Sequence, residues 1–130
     1  MDGENVRLAQ RLFDRWNSGE HAVDPEFADG EIELHTPLGS DRGEPYQGFQ
    51  GVRERVAEVE RQFETLRFEI KQARELDDGR VLATGVAHVR GRGSDIEVDQ
   101  PLEWLLTFRD GRLLRYEAFV DEEANPAGVE

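Results

Sequence analysis

The chain predicts an α+β fold in one domain, residues 1–130, and three observations carry that prediction. Apolar residues in the first half recur at spacings of three and four, which puts them on one side of a helix. From Leu66 to Val120 the spacing changes to two and stays there, the period of half-buried strands. The dipeptides Asp78-Gly79 and Asp110-Gly111 interrupt that alternation where tight turns are needed, because Asp and Gly tolerate positive φ.

Asn5 to Asn17 reads as the first helix. Val6, Ala9, Leu12, Phe13 and Trp16 form its stripe, with Arg7, Arg11, Asp14 and Arg15 outside it, and Asn17-Ser18-Gly19 ends it. A short second helix is expected from Ala22 to Phe27, with Pro25 near its first turn. Ala28-Asp29-Gly30 reads as a turn and Glu31 to His35 as a strand. Thr36 to Gly51 is a Gly- and Pro-rich loop long enough to suggest a functional lid. It carries two bulky aromatics, Tyr46 and Phe49. Val52, Val56, Val59 and Phe63 mark a third helix. Its remaining faces, including Arg53, Glu54, Arg55 and Glu58, read as a solvated ion-pair surface.

The strands follow as a four-strand antiparallel meander: Leu66 to Leu76, Val81 to Arg90, then the hairpin Val98 to Val120 around Asp110-Gly111. The early strand adds at an edge. Alternation assigns Phe68, Ile70, Val86, Leu106 and Tyr116 to the face against the helices. It assigns Ala83, Ala87, Val89, Leu105, Leu113 and Phe119 to the outer face, among Glu103, Arg115 and Glu117. An outer face that apolar is most simply covered by a second copy, so a homodimer through it is expected.

The bulk numbers exclude several classes of function. A net charge of −13 argues against nucleic acid and anionic membranes, both of which need a basic footprint. With no cysteine there is neither disulfide nor thiolate chemistry. The N-terminal MDGENVRLAQ lacks a basic region followed by an apolar run, so no signal peptide is read there, and a cytoplasmic location is the default expectation. No cofactor is expected. No His-x-x-x-His pair or Asp-rich loop suggests a metal site, and no Gly-x-Ser-x-Gly element offers a serine nucleophile.

Further groups of residues carry a family likeness. They are Trp16-Asn17-Ser18-Gly19, Phe27-Ala28-Asp29, Ile32-Glu33-Leu34-His35-Thr36-Pro37, Tyr46-Gln47-Gly48 with Gly51-Val52, Arg90-Gly91-Arg92-Gly93, Gln100-Pro101 and Thr107-Phe108-Arg109-Asp110-Gly111-Arg112. In this order the chain resembles the nuclear transport factor 2-like fold, and within it the SnoaL-like family of polyketide-cyclase and ketosteroid-isomerase relatives. The resemblance implies a cone in which a curved antiparallel sheet wraps three helices and leaves an open-ended apolar pocket. It also implies a small hydrophobic ligand, polyketide- or steroid-like, and dimers formed through the sheet.

Carried over by position, the isomerase groups are mostly missing: the helix tyrosine falls on Leu12 and the buried aspartate on Trp104. The base falls on His35 or on Thr36, and alternation with Ile32 and Leu34 favours Thr36. His88 is a candidate general acid or base, facing the pocket by the resemblance; a core histidine satisfied by Thr84 or Tyr116 is the plainer alternative. Tyr116 is either an oxyanion donor or a buried tyrosine bonded to backbone. Tyr46 and Phe49 form a lid or anchor a loop. Trp16 and Trp104 stack a flat ligand or fill the core, with Val86 and Leu106 beside them as lining. Asp121 is either a carboxylate acid/base or a helix cap. Two functions stay open: a cofactor-free isomerase, cyclase or lyase, or a small-ligand-binding or interaction module of the same fold.

Overall fold

The computed structural model describes residues 3–19, 25–36 and 44–120. Among them are two helices and six strands: α1 (Glu4–Asn17), β1 (Ala28–His35), β2 (Tyr46–Gln47), α2 (Gly48–Gln62), β3 (Phe63–Glu75), β4 (Val81–Gly91), β5 (Glu97–Arg109) and β6 (Arg112–Val120). The strands form one open, curved sheet in the order β2-β1-β6-β5-β4-β3. β3 to β6 are the expected meander, and β1 joins β6 in parallel. The expected helix Ala22–Phe27 lies largely outside the described residues, and its described part, 25–27, is a turn. Two further boundaries differ from expectation. Tyr46 and Gln47 pair with β1 instead of lying in a loop, and Ala28 to Gly30 already belong to β1.

The hairpin between β5 and β6 has the geometry its dipeptide demands. Asp110 and Gly111 both take positive φ, 53° and 77°, the left-handed pair that matches the twist of the flanking strands. The Arg109 side chain then reaches β1. It donates to both oxygens of Asp29 at 3.0 and 3.1 Å and to Glu31 at 2.6 Å, tying the turn to the first strand.

α1 lies along the free edge of β3. Asn17 receives the Phe68 N–H at 2.9 Å and donates to the Phe68 carbonyl at 2.7 Å, so its amide pairs the strand as a neighbouring backbone would. At the other end Asn5 donates to the Gly79 carbonyl at 2.8 Å. α2 packs over β1 and β2. Between the helices and the sheet lies an aromatic centre in which Phe13, Phe68 and Trp104 meet edge to face, with centroids 5.1–5.8 Å apart.

That centre sets which face of β4 looks inward. Across the ladders Ala83 opposes Trp104 and Ala87 opposes Phe68, and cross-strand partners share a face. The inner residues of β4 are therefore Val81, Ala83, Gly85 and Ala87, all buried. Val86 and His88 point outward, the reverse of the face expected for them, because bulky aromatics on both neighbours leave room only for small side chains between. Val89 packs against the core as well. On β6 the register slips at Leu114 between the pairs Thr107–Arg115 and Phe108–Leu113. This bulge turns Leu113 into the core, where strict alternation had put it outside.

Candidate functional site

The inner face of the sheet and the two helices line a partly open cavity of about 150 Å³. α1 supplies Leu12, Phe13, Arg15 and Trp16 to its wall, and β1 supplies Ile32 and Leu34, with Thr36 just after its end. Val52, Arg55, Val56 and Val59 come from α2, while Leu102, Leu113, Tyr116 and Ala118 come from the hairpin. An apolar void of this size takes up a molecule about as large as benzene. A wider groove of about 650 Å³ crosses the outer side near Glu33 and Arg109. Its charged lining residues are already engaged in ion pairs, Arg109 with Glu31 and with Asp29 nearby, and Arg115 with Glu33, so the cavity between the helices and the sheet is the candidate site.

Tyr116 is the polar group at the sheet side of the cavity. Its oxygen accepts the Trp104 indole N–H at 2.9 Å. Burial pushes its pKa up to about 12, against the smaller opposing pulls of the Trp104 bond and the nearby Arg55 cation, so the phenol stays protonated across the neutral range. With its oxygen taken by Trp104, its own O–H is directed elsewhere. Among the described residues no acceptor stands within hydrogen-bond distance of it, and the cavity lies beside it. Trp16, also in the wall, donates its N–H to the Leu66 carbonyl at 2.8 Å, which fixes the plane of its ring.

Arg55 was expected on a solvated helix face and is instead 7% exposed, at the cavity wall. Its guanidinium donates to the Thr36 hydroxyl at 3.5 Å, pairs with Glu58 at 3.6 Å and stands 6.0 Å from the Tyr46 ring. The Tyr46 hydroxyl donates to the same Glu58. The signal for Arg55 was present: it lies four residues after Gly51 and four before Val59, both buried, and so on the inward stripe. Composition hid it, because Arg among Glu and Arg reads as surface.

Of the residues singled out from sequence, Tyr116 and Trp16 come together at the cavity, and of the pair His35 and Thr36 it is Thr36, just past the end of β1, that stands in its wall. His35 lies 3.1 Å from Glu33 on the other side of the strand. His88 stands on the outer sheet face, away from the cavity, with Nδ1 2.8 Å from Asp99 and Nε2 3.0 Å from Glu69. Those two carboxylates hold its pKa above the ordinary 6.5. It therefore cannot serve the cavity as acid or base.

Trp104 and Leu106 are fully buried in the core and do not line the cavity. Val86 faces outward. Tyr46 is buried as an anchor between β2 and α2, and Phe49 packs against the core from the first turn of α2, so neither forms a lid. Asp121 lies outside the described residues. Among the described residues no three acidic, His or Cys side chains cluster where a metal ion could be held. No described helix is long and apolar enough to cross a membrane.

The model of the SnoaL-like domain family matches residues 9–116. No curated protein matches the sequence. Among solved structures, an NTF2-like protein of unknown function from Burkholderia pseudomallei is 14% identical, with a TM-score of 0.79 over 91% of each chain. TerC, co-crystallised with polyporic acid, is 20% identical, with a TM-score of 0.78 over 93% of this chain and 94% of its own. A protein of ketosteroid isomerase-like fold from Catenulispora acidiphila, in complex with trimethylamine, is 13% identical, with a TM-score of 0.70 over 88% of this chain and 85% of its own. At these identities the likeness is one of fold.

Proposed function

The chain belongs to the SnoaL-like domain family, and from that premise we propose that its cavity holds a small, mainly apolar molecule by an oxygen atom set between Tyr116 and Arg55. The observation that carries this reading is the Tyr116 hydroxyl: its oxygen is engaged by Trp104, its proton is retained, and it stands at the wall of an apolar cavity. A ligand carbonyl offers the acceptor that such a donor lacks. Small-molecule complexes of TerC and of the Catenulispora protein agree with a ligand-holding role for this fold. The volume suits a single ring better than a fused four-ring skeleton.

No His, Asp or Glu is among the described lining residues. The described wall therefore supplies positioning and polarisation but no proton acceptor, which favours binding over turnover. The enzymatic reading, a cofactor-free isomerase, cyclase or lyase, draws on one further point: two donors at one end of an apolar cavity would stabilise an enolate better than its parent ketone. The outer sheet face, with Leu82, Val86, Leu105 and Phe119, is proposed as the surface of a homodimer.

Titration with acetophenone, a one-ring ketone, should change the emission of Trp16, and Tyr116→Phe should weaken binding about tenfold through loss of one buried hydrogen bond. Unchanged emission in the wild type, or equal affinity in Tyr116→Phe, would refute the reading. Product analysis of any ligand that binds then separates holder from enzyme.

A further inference from the structure

We propose that the outer sheet face docks a second copy of this chain turned about a twofold axis that runs along the strands between β4 and β5, so that the basic half of each face covers the acidic half of the other. The inference rests on the proposed homodimer and adds its orientation and its means of self-recognition. Cross-strand partners share a face, so the ladders divide the outer face into rows that cross the sheet from β3 towards β6. One row is Arg74, Leu82, Leu105 and Glu117. Two others are Arg67, His88 and Asp99, and Thr65, Arg90 and Glu97. In all three the arginine lies on β3 or β4 and the acid on β5 or β6. Two residues run against this polarity, and each is tied within its own copy. Glu69 on β3 pairs with His88 at 3.0 Å, and Arg115 on β6 lies 3.7 Å from Glu33 and 3.9 Å from Glu117.

A symmetric dimer packs one patch on its own copy, and for two sheets stacked face to face the twofold axis lies in the plane between them. An axis across the strands would lay β3 over β3 and β6 over β6, arginine against arginine and carboxylate against carboxylate. An axis along the strands reverses the order, laying β3 over β6 and β4 over β5. The row Arg74, Leu82, Leu105, Glu117 is then its own complement: leucine meets leucine in the middle, and a cation meets an acid at either end. Each copy carries a net charge of −13, so two copies repel at a distance. An orientation whose local pairs oppose that repulsion is selected over one whose local pairs add to it. The apolar middle, with Leu82, Val86, Leu105 and Phe119, supplies the contact, and the charged halves set its direction.

The test is charge reversal, with dimer strength read by analytical ultracentrifugation and mixed dimers identified by native mass spectrometry. Arg74→Glu alone and Glu117→Arg alone should each weaken the dimer about tenfold or more, since each sets like charges together at both ends of the row. An equimolar mixture of the two variants should return to wild-type strength as a mixed dimer, because every reversed residue then meets its opposite. If Glu117→Arg does not fold, as judged by circular dichroism, Glu103→Arg on the same half takes its place, with the same loss and the same rescue expected. Single reversals that leave the dimer unchanged, or a mixture that shows no rescue, would overturn the inference and leave the dimer standing. A mixed dimer of wild type with Arg74→Glu that is tighter than the wild-type dimer would mean that the axis crosses the strands. A wild-type chain that is monomeric at micromolar concentration would remove the dimer and the inference together.

Discussion

At the scale of single residues the sharpest case is His88. Its imidazole bridges Glu69 on β3 and Asp99 on β5, with Arg67 opposite it on β3 as an opposing charge. To donate to both carboxylates it must carry both ring protons, and its pKa is raised accordingly, the Asp99 bond being the largest cause. A raised pKa adds stability below the ordinary value of 6.5 that is lost as the pH climbs through the folded-state value. Glu69 works in the other direction: the His88 bond lowers its pKa from 4.5, so its share is present above 4.5 and lost as the pH falls. The contribution is therefore greatest between about pH 5 and 6.5. Urea midpoints measured from pH 5 to pH 9 should show wild type ahead of His88→Gln at the acidic end, with the gap closing towards pH 9. A gap independent of pH would mean that the bridge is electrostatically idle.

Among the elements, β4 decides the shape of the sheet through one glycine. A Cβ on Gly85 would sit 2.0 Å from the Glu69 carbonyl oxygen, an overlap that only backbone movement can relieve. Beside it the β3–β4 register slips between Ile70 and Gln72, an irregularity of the kind that bends a strand. Gly85→Ala should cost about 1–3 kcal/mol, the usual price of overpacking a filled site. Thermal unfolding checks this; an unchanged midpoint would mean that β3 yields freely there. The Asp110–Gly111 hairpin and the α1 stripe were fully legible in the sequence, because a positive-φ turn and a helical period are local properties. The facing of β4 was not. Apolar residues occupy both of its sides, so only the volume of its neighbours selects one, and a one-residue slip exchanges the faces.

For the whole molecule, no described element covers the outer face of the open sheet. Phe119 is 47% exposed, and Ile96 and Val98 at the start of the last hairpin are 70% and 53% exposed. Analytical ultracentrifugation should find a dimer for wild type and a monomer for Phe119→Glu, since a carboxylate buried against an apolar partner has no counter-charge there. A wild-type monomer at micromolar concentration would refute the proposed dimer.

The sequence by itself determined the fold class, the strand meander, the two Asp-Gly turns and, through Tyr116, Trp16 and Thr36, part of the cavity wall. Periodicity, turn chemistry and family likeness all reside in short stretches of chain. Only the tertiary structure decided that His88 turns away from the cavity and that Arg55 turns towards it. Both outcomes depend on what stands opposite: Trp104 and Phe68 press small residues into the inner face of β4, and Glu58 with Tyr46 holds a guanidinium on the buried side of α2. Charge in a sequence marks a residue as polar, but whether water or a cavity receives it is settled by packing between segments far apart in the chain.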